Sequence, residues 1–284
     1  MTEIRVTPSG APLGAEIAGV DLGGNIDAAT FAAIDRAFND NTVVVFRGQT
    51  LTPERQIAFA RRFGELEISP RKQFALAGHP EILLLSNIVD ENGKPIGNYD
   101  AGRTWHTDLS YTATPPRCSL LYALEIPHHE NGTPLGDTLF ASAAAAYAAL
   151  PSAMQQRLHG LRAVHRAGAK KYAPGSQLAN AIKDLPDVLH PVVRTHPVTG
   201  RKAIYVREGE CIGIVGMPDS EALPLIRELS DFITRPEFMY RHQWRVGDLL
   251  MWDNAAAQHL ATADYAPPMR RLMHRVTVCG GVPF

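Results

Sequence analysis

The chain has 284 residues, of which 45% are hydrophobic and 20% charged, and its formal net charge is −1. A chain of this size can bury a substantial core, and its near-neutral charge gives no electrostatic support for binding nucleic acid or an anionic membrane. The three cysteines are widely spaced and lack a CxxC pair, which favours reduced thiols over a disulfide framework. With neither a signal core nor an apolar run of ~18 residues, we expect a cytoplasmic protein.

Short strands separated by turns dominate the predicted structure. Their segments are rich in β-branched and apolar residues and are bounded by Gly, Pro, Asn or Asp. The segment 42–46 is continuously apolar, which is typical of a buried central strand. We predict strands over 3–7, 15–21, 42–46, around His106, and over 82–86, 119–125, 192–196, 202–207, 239–244, 249–252 and 271–278.

Helices are predicted between these strands rather than in regular alternation with them. Asp27 can cap a helix whose apolar residues Phe31, Ile34 and Phe38 follow helical spacing. Thr52 followed by Pro53 is a strong start signal for a second helix, ending near Phe63. Further helices are predicted over 142–150, 152–159 and 220–233. This pattern favours a mainly β fold with helical decoration, two antiparallel sheets packed as a jelly roll, in a single domain over 1–284.

Two polar segments have no clear periodicity and are long for connections in a compact chain. The first, 87–103, is rich in glycine and leads directly to His106. The second, 166–187, mixes glycine, proline and lysine. Loops of this length are usually functional or disordered. We therefore expect both to act as lids that are mobile without ligands and ordered with them.

A histidine and a carboxylate two residues apart, His106 and Asp108, give the strongest chemical signal. If the segment is a strand, residues i and i+2 point to the same face and both side chains can bind one metal ion. Alone, the pair is more typical of a surface or capping interaction. His259 is the best third ligand, and two histidines with one carboxylate form the facial triad of non-haem Fe(II) oxygenases.

Two arginines lie on one face of the predicted final strand. Alternation places Arg271, Met273 and Arg275 on the same face, with the arginines about 13 Å apart at ~3.3 Å per residue. Half-buried arginines require anionic partners, so one can bind a carboxylate while the other binds a separate anion. Structural salt bridges are the alternative. Thr138, after a Gly-Asp turn, can also donate to a carboxylate, although this signal is weak alone.

Several of these motifs together resemble the taurine dioxygenase family. The matching runs are Trp105-His106-Thr107-Asp108, Gly136-Asp137-Thr138-Leu139, His190 to Pro197, Trp252-Asp253-Asn254 with Gln258-His259, and Ala263-Asp264-Tyr265 with Arg271-x-x-x-Arg275. The resemblance covers nearly the whole chain. It implies a double-stranded β-helix and dependence on Fe(II), 2-oxoglutarate and O2. It also implies iron bound by His106, Asp108 and His259, 2-oxoglutarate held by Thr138 and Arg271, and a substrate anion contacted by Arg275.

The predicted substrate shell departs from the taurine-specific pattern. Ser69 stands where that enzyme has a histidine, Gly102 where it has an asparagine, and two pocket phenylalanines are replaced near Ala167 and Glu210. Taurine itself is therefore a disfavoured substrate. The candidate substrate-binding residues are Arg275, Ser69, Gly102, Leu109, Tyr111 and Glu210.

The resulting hypothesis is a dioxygenase that hydroxylates a small anionic molecule, with succinate and CO2 as co-products. The presence of Asp108 argues against a halogenase. One rival is a Zn(II)-dependent hydrolase, which would have no use for the Arg271–Thr138 carboxylate site. Another is a non-catalytic 2-oxoglutarate sensor, which would not need three intact metal ligands. We expect no nucleic-acid or membrane partner, and a homo-oligomer, either dimer or tetramer.

Overall fold

The computed structural model describes residues 4–69, 72–99, 102–168 and 184–284. Its strands are β1 Arg5–Pro8, β2 Ala15–Ala18, β3 Val43–Phe46, β4 Ala75–Leu76, β5 His79–Ser86, β6 Cys118–Glu125, β7 Thr138–Ser142, β8 Arg162–His165, β9 Val188–Pro191, β10 Val193–Thr195, β11 Lys202–Ile204, β12 Cys211–Ile214, β13 Met239–His242, β14 Leu249–Asp253, β15 Ala257–Ala261 and β16 Leu272–Val278. Its helices are α1 Ala28–Asn41, α2 Pro53–Arg61, α3 Ala143–Ala149, α4 Ser152–Leu158 and α5 Asp219–Ile233, with short 3-10 turns at Lys72–Phe74 and Pro236–Phe238.

Two sheets face each other across the central core. The larger has eight strands in the order β1-β2-β3-β14-β6-β16-β5-β4, and the facing sheet has the order β13-β7-β15. All pairs within them are antiparallel except β2 with β3. Phe140 of the smaller sheet packs with Trp252 and Met273 of the larger in one buried cluster. The predicted double-stranded β-helix with helical decoration is confirmed.

Two outer layers complete the molecule. Helices α1 and α2 pack against the larger sheet, where Ile34, Phe38 and Ile57 join Val276 and Val278 in a second cluster. Helices α3 and α5 form a third cluster with strands outside the smaller sheet, including β8, β11 and β12. Strand β16 therefore separates two environments, because Met273 lies in the central core and Val276 lies under the helices, as its predicted alternation requires.

The helix starts follow the predicted capping chemistry. The Asp27 side chain accepts a hydrogen bond from the Thr30 backbone N–H, and Thr52 accepts one from Arg55, with Pro53 at the first helical position. Helix α2 ends at Arg61 rather than Phe63. Within the described residues, no helix is both long and apolar enough to cross a membrane.

The predicted strand around His106 is wrong. His106 forms only an isolated bridge with His259, and Asp108 lies in the turn that follows, next to Leu109 with a φ of 47°. The pairing does not continue past His106 because the Asp108 N–H donates to the Asn254 side chain and the Thr112 N–H donates to the Leu109 carbonyl within the turn. Strands β4, β7, β8, β9, β12 and β15 were not predicted from the sequence, since their two to five residues are too few to show clear alternation.

The predicted lids lie only partly in the described structure. Of 166–187, residues 169–183 lie outside the described residues. In 87–103, a turn joins Val89 to Pro95, and the Asn98 N–H donates to the Leu84 carbonyl at the edge of β5. Lid motion and the single-domain organisation of residues 1–284 stay predictions.

A buried histidine lies in the outer layer beside the smaller sheet. His165 is 2% exposed, and its ring stacks on Tyr205 at a centroid distance of 5.6 Å. Burial, together with the positive charges of His190 and Arg207, lowers the pKa of His165 to about 3. The imidazole is therefore neutral in the folded protein at pH values where it is protonated in the unfolded chain.

We predict that His165 contributes to acid destabilisation. Above the unfolded-state pKa of about 6.5 it has no pH-dependent effect, and below it the unfolded chain gains a proton that the folded protein excludes. Between about pH 6 and 4, His165→Phe should reduce the pH slope of the unfolding free energy by ~1.4 kcal/mol per pH unit. Urea unfolding at several pH values measures this slope. The exposed His128→Ala should leave it unchanged, and equal slopes for His165→Phe and wild type would contradict the prediction.

Candidate active site

Three side chains converge at one end of the central core. The candidate ligand atoms of His106, Asp108 and His259 all lie within 4.8 Å of one another. His106 Nε2 is 3.8 Å and His259 Nε2 is 3.9 Å from Asp108 Oδ1. Two imidazole nitrogens and one carboxylate oxygen at these separations match the donor set that binds Fe(II) on one face.

The backbone brings these ligands together without the predicted strand. The His106 N–H donates to the His259 carbonyl at 3.0 Å, and the His259 N–H donates to the His106 carbonyl at 2.8 Å. In the next turn, the Asp108 N–H donates to Asn254 Oδ1, and the Thr107 hydroxyl donates to the Asn254 carbonyl. Strand β15 therefore positions His259 and His106, while Asn254 positions Asp108.

The tautomer of His106 suits metal binding. His106 Nδ1 lies 2.9 Å from the carbonyl oxygen of Thr104. A carbonyl can only accept, so Nδ1 carries the hydrogen and the lone pair is on Nε2, the atom that faces Asp108. The imidazole is therefore already in the form that binds a metal.

Asp108 is buried but remains ionised. Burial opposes its charge, yet the guanidinium of Arg275, the imidazoles of His259 and His106 and a hydrogen bond from Ser119 outweigh burial and hold the pKa of Asp108 well below its usual range. The Ser119 hydroxyl donates to Asp108 Oδ2 at 2.7 Å, and Arg275 Nη2 lies 2.8 Å from the same oxygen. A carboxylate ligand is thus available across the neutral pH range.

A cavity of about 730 Å³, counting its open mouth, adjoins the triad. Arg271 lines it and is 7% exposed. Its Nε has no hydrogen-bond partner within the described residues, and its Nη2 is 3.5 Å from the Gly136 carbonyl. A buried guanidinium with this unmet donor capacity fits an incoming carboxylate, as expected for the distal group of 2-oxoglutarate.

The turn before β7 makes room for that guanidinium. Gly136 has a φ of +75°, and a Cβ there would lie 3.1 Å from Arg271 Nε. Two residues later, Thr138 Oγ1 accepts from Trp244 Nε1 at 3.0 Å, so its own hydrogen is available to donate into the cavity that it lines. The Gly-Asp-Thr sequence therefore supplies both the space and a second donor.

Comparison with known proteins agrees with this geometry. Residues 5–277 match the model of the family described as "Taurine catabolism dioxygenase TauD, TfdA family". The chain belongs to this family. The dioxygenase is a non-haem iron enzyme that uses 2-oxoglutarate and O2, and the residues at its site fit both the metal and the co-substrate.

Characterised relatives and solved structures cover almost the whole dioxygenase. It is 36% identical over 271 residues to the alpha-ketoglutarate-dependent 2,4-dichlorophenoxyacetate dioxygenase of Cupriavidus pinatubonensis, covering 91% of each chain. It is 33% identical to the alpha-ketoglutarate-dependent sulfate ester dioxygenase of Pseudomonas putida, covering 99% of this chain and 91% of that one. The crystal structure of a taurine dioxygenase from Burkholderia xenovorans matches with a TM-score of 0.81 and 34% identity, covering 99% and 92% of the two chains.

The predicted substrate residues occupy different places. Gly102 and Arg275 line the cavity, and a Cβ on Gly102 would lie 3.2 Å from His106 Cε1. Within the described residues, the cavity lining does not include Ser69, Leu109, Tyr111 or Glu210. Leu109 and Tyr111 pack with Ala167 in a small apolar cluster directly after Asp108. Glu210 is buried, accepts from the Ser110 hydroxyl and pairs with Arg207. The substrate roles of these residues stay predictions.

Several functional residues were missed by the sequence argument. Ser119, Trp244 and Asn254 contact Asp108 or Thr138, yet none belongs to a residue type that stands out as catalytic. The Trp-Asp-Asn run before His259 was the one available signal for Asn254. Ser119 and Trp244 are revealed only by the pairing of distant strands.

We predict that each metal ligand is required for metal binding. Alanine at His106, Asp108 or His259 should weaken Fe(II) binding by more than the 10- to 100-fold typical of outer-sphere changes, because a direct donor is lost. Anaerobic Fe(II) titration measures the affinity, and circular dichroism should show an intact fold. The exposed His128→Ala is the control. A His259→Ala protein with near-normal affinity would mean that the third ligand is another residue.

Proposed function

We propose that this dioxygenase hydroxylates a small anionic organic substrate, such as a sulfonate, sulfate ester or carboxylate, while 2-oxoglutarate is converted to succinate and CO2. The observation that carries the proposal is the buried Arg271 in the same cavity as His106 and His259. A carboxylate site beside a metal triad requires a co-substrate that bridges the two. 2-Oxoglutarate does so, because its oxo-acid end can bind metal while its distal carboxylate reaches the arginine.

The electrostatics of the cavity support an anionic substrate. Its described lining contains three arginines, Arg103, Arg271 and Arg275, and no acidic side chain. Arg271 is the lining arginine assigned to the distal carboxylate, and Arg103 lines the same cavity with an exposed side chain that an anionic substrate can contact. The named activities of relatives agree, since they include dioxygenases for a phenoxyacetate, a phenoxypropionate and a sulfate ester.

The chain's own residues have separable tasks. His106, Asp108 and His259 would hold the iron, which supplies the activation of O2 when bound. Arg271 and Thr138 would orient 2-oxoglutarate through its distal carboxylate. Apolar lining residues, among them Leu85 and Leu121, would exclude water from the carbon chain of the co-substrate.

The rival functions lack support in the site. A Zn(II) hydrolase needs a general base near the metal, and the described lining of the cavity has no carboxylate for that role. A sensor would need Arg271 but would not need the converging metal ligands. The combination of both sites favours catalysis.

The sequence predicts a substrate shell that differs from that of an enzyme for taurine. We infer that Ser69, Gly102, Leu109, Tyr111 and Glu210 contribute to substrate choice, with Gly102 leaving space beside His106. An asparagine at Gly102 would occupy that space, and its φ of +77° would also be strained. The resulting room suits a bulkier substrate than taurine.

A substrate screen tests the proposed function directly. Purified enzyme with Fe(II), 2-oxoglutarate and O2 is given sulfonates, sulfate esters, phenoxy acids or amino-acid derivatives, and succinate is measured. We expect one anionic class to stimulate succinate formation well above the uncoupled rate. Stimulation by neutral compounds alone would overturn the substrate class, and the absence of any 2-oxoglutarate turnover would overturn the proposed reaction.

We predict that Arg271 determines the affinity for 2-oxoglutarate. Arg271→Ala removes a desolvated charge partner, a loss of about 2–5 kcal/mol. The dissociation constant should rise about thirty-fold to several-thousand-fold, and Arg271→Lys should recover part of the affinity because an ammonium lacks the planar fork. The charge-transfer band of the anaerobic Fe(II) complex reports the titration.

A neighbouring arginine provides the matched control. Arg270 is the adjacent residue, but its side chain is exposed and pairs with Glu125 at the surface. Arg270→Ala should leave 2-oxoglutarate affinity unchanged. If both alanine variants bind 2-oxoglutarate like wild type, Arg271 is a structural residue and the co-substrate assignment fails.

The proposal also includes the cellular location and the oligomeric state of the protein. We infer a cytoplasmic location from the free thiols Cys118, Cys211 and Cys279. We also infer a homo-oligomer, a dimer or tetramer, as the sequence suggested. Light scattering at several concentrations tests the assembly, and a strictly monomeric mass would contradict it.

A further inference from the structure

The guanidinium of Arg275 contacts an iron ligand. Its Nη2 lies 2.8 Å from Asp108 Oδ2, whereas Asp108 Oδ1 faces the imidazoles of His106 and His259. The two oxygens of one carboxylate therefore have different surroundings. Oδ1 faces the two imidazoles that would hold a metal with it, and Oδ2 is bound by a cation.

Ser119 provides a second donor to the same oxygen. Its hydroxyl donates to Asp108 Oδ2 at 2.7 Å, and Asn254 Nδ2 donates to Ser119 Oγ at 3.4 Å. Arg275 Nη2 is also 3.3 Å from Ser119 Oγ. Oδ2 therefore accepts a hydrogen bond from Ser119 and forms an ion pair with Arg275, and both contacts hold it toward the protein rather than toward a metal ion.

The position of Arg275 is fixed by its surroundings. Strand β16 is paired on both sides, with β5 and β6, so its backbone has little freedom. The Arg275 Cζ lies over the ring of Trp252 at 5.9 Å from the centroid. Trp252 in turn donates through Nε1 to Asn254 Oδ1, which also accepts from the Asp108 N–H. The same small network holds the carboxylate and its cation.

We propose that Arg275 and Ser119 form a carboxylate clamp that makes Asp108 a one-oxygen ligand. With Oδ2 held by Arg275 and Ser119, Asp108 would bind a metal through Oδ1 alone. A six-coordinate Fe(II) held by His106, Asp108 and His259 in this way would keep three positions for 2-oxoglutarate and O2, and a carboxylate that bound through both oxygens would take one of them. The proposal rests on metal binding at the triad and assigns Arg275 a positioning role, in addition to any contact with substrate.

Metal affinity is the first test. Binding of Mn(II) to the full-length protein is followed by electron paramagnetic resonance in wild type, Arg275→Met, Arg275→Lys and Ser119→Ala. Arg275→Met should weaken binding about ten- to a hundred-fold, the range for residues that orient a ligand, and Arg275→Lys and Ser119→Ala should fall between it and wild type. The exposed Arg270→Met should bind Mn(II) like wild type.

Coupling in the metal-free protein is the second test. Melting temperatures are compared for Asp108→Asn, Arg275→Met and the double variant. If the two side chains act as a pair, the double variant should lose less than the sum of the two single losses. Additive losses would mean that Arg275 stabilises the protein by packing on Trp252. Should Arg275→Met not fold, Arg275→Lys replaces it in the cycle.

The coordination mode is the decisive test. A crystal structure of the Mn(II)-loaded wild type should show Asp108 bound through one oxygen, and the Ser119→Ala/Arg275→Lys protein should show both oxygens bound. Mn(II) affinity like that of wild type in both Arg275→Met and Ser119→Ala, or Asp108 bound through one oxygen in the double variant, would overturn the clamp. These measurements need no turnover, so a wild type that fails to form succinate would reject the proposed reaction without deciding the clamp.

Discussion

The buried carboxylate of Asp108 is the charge on which the rest of the site depends. Removing a carboxylate from water is costly unless cations or hydrogen-bond donors replace the solvent. Here Ser119 on β6 donates to the carboxylate and Arg275 on β16 forms an ion pair with it, while Asn254 after β14 accepts from the Asp108 backbone N–H. The central strands of the larger sheet must pair in their observed register for these donors to meet, so the sheet and the metal site are specified together.

The cavity beside the metal site contains a second buried charge, the guanidinium of Arg271. Arg271 is buried close to a glycine turn, and within the described part of the chain it forms no ion pair. Burial lowers the pKa of Arg271 although Tyr265 and Asp264 act against this, so the cation is held at a cost that the anionic co-substrate can offset on binding. Burying Arg271 thus reduces the folding stability of the free protein and favours the binding of 2-oxoglutarate. Preorganised sites typically show this trade of stability for binding.

The sequence predicted the metal ligands of the site more accurately than it predicted the secondary structure around them. His106, Asp108 and His259 were predicted as ligands because few residue types bind iron, and the structure brings them together. The strand assumed for His106 and Asp108 was wrong because the Asn254 side chain, distant in sequence, satisfies a backbone that propensity alone assigns to a ladder. The alternation of β16 could be predicted because this strand lies between two layers of the protein, so its two faces carry different residues and the pattern shows in the sequence. Short strands such as β8 and β12 were missed, since tertiary packing rather than periodicity defines them.

The two faces of β16 have a consequence for interpreting variants of this enzyme. Val276 and Val278 lie under helices α1 and α2, while Arg271 and Arg275 belong to the cavity side of the same segment. Gln56 of α2 also donates to the His274 carbonyl, tying the helix layer to the strand backbone. A substitution in that layer can therefore shift both arginines without touching any ligand. Distance from the iron is a poor guide to which positions govern turnover, and random mutagenesis should find kinetic variants on the far side of the sheet.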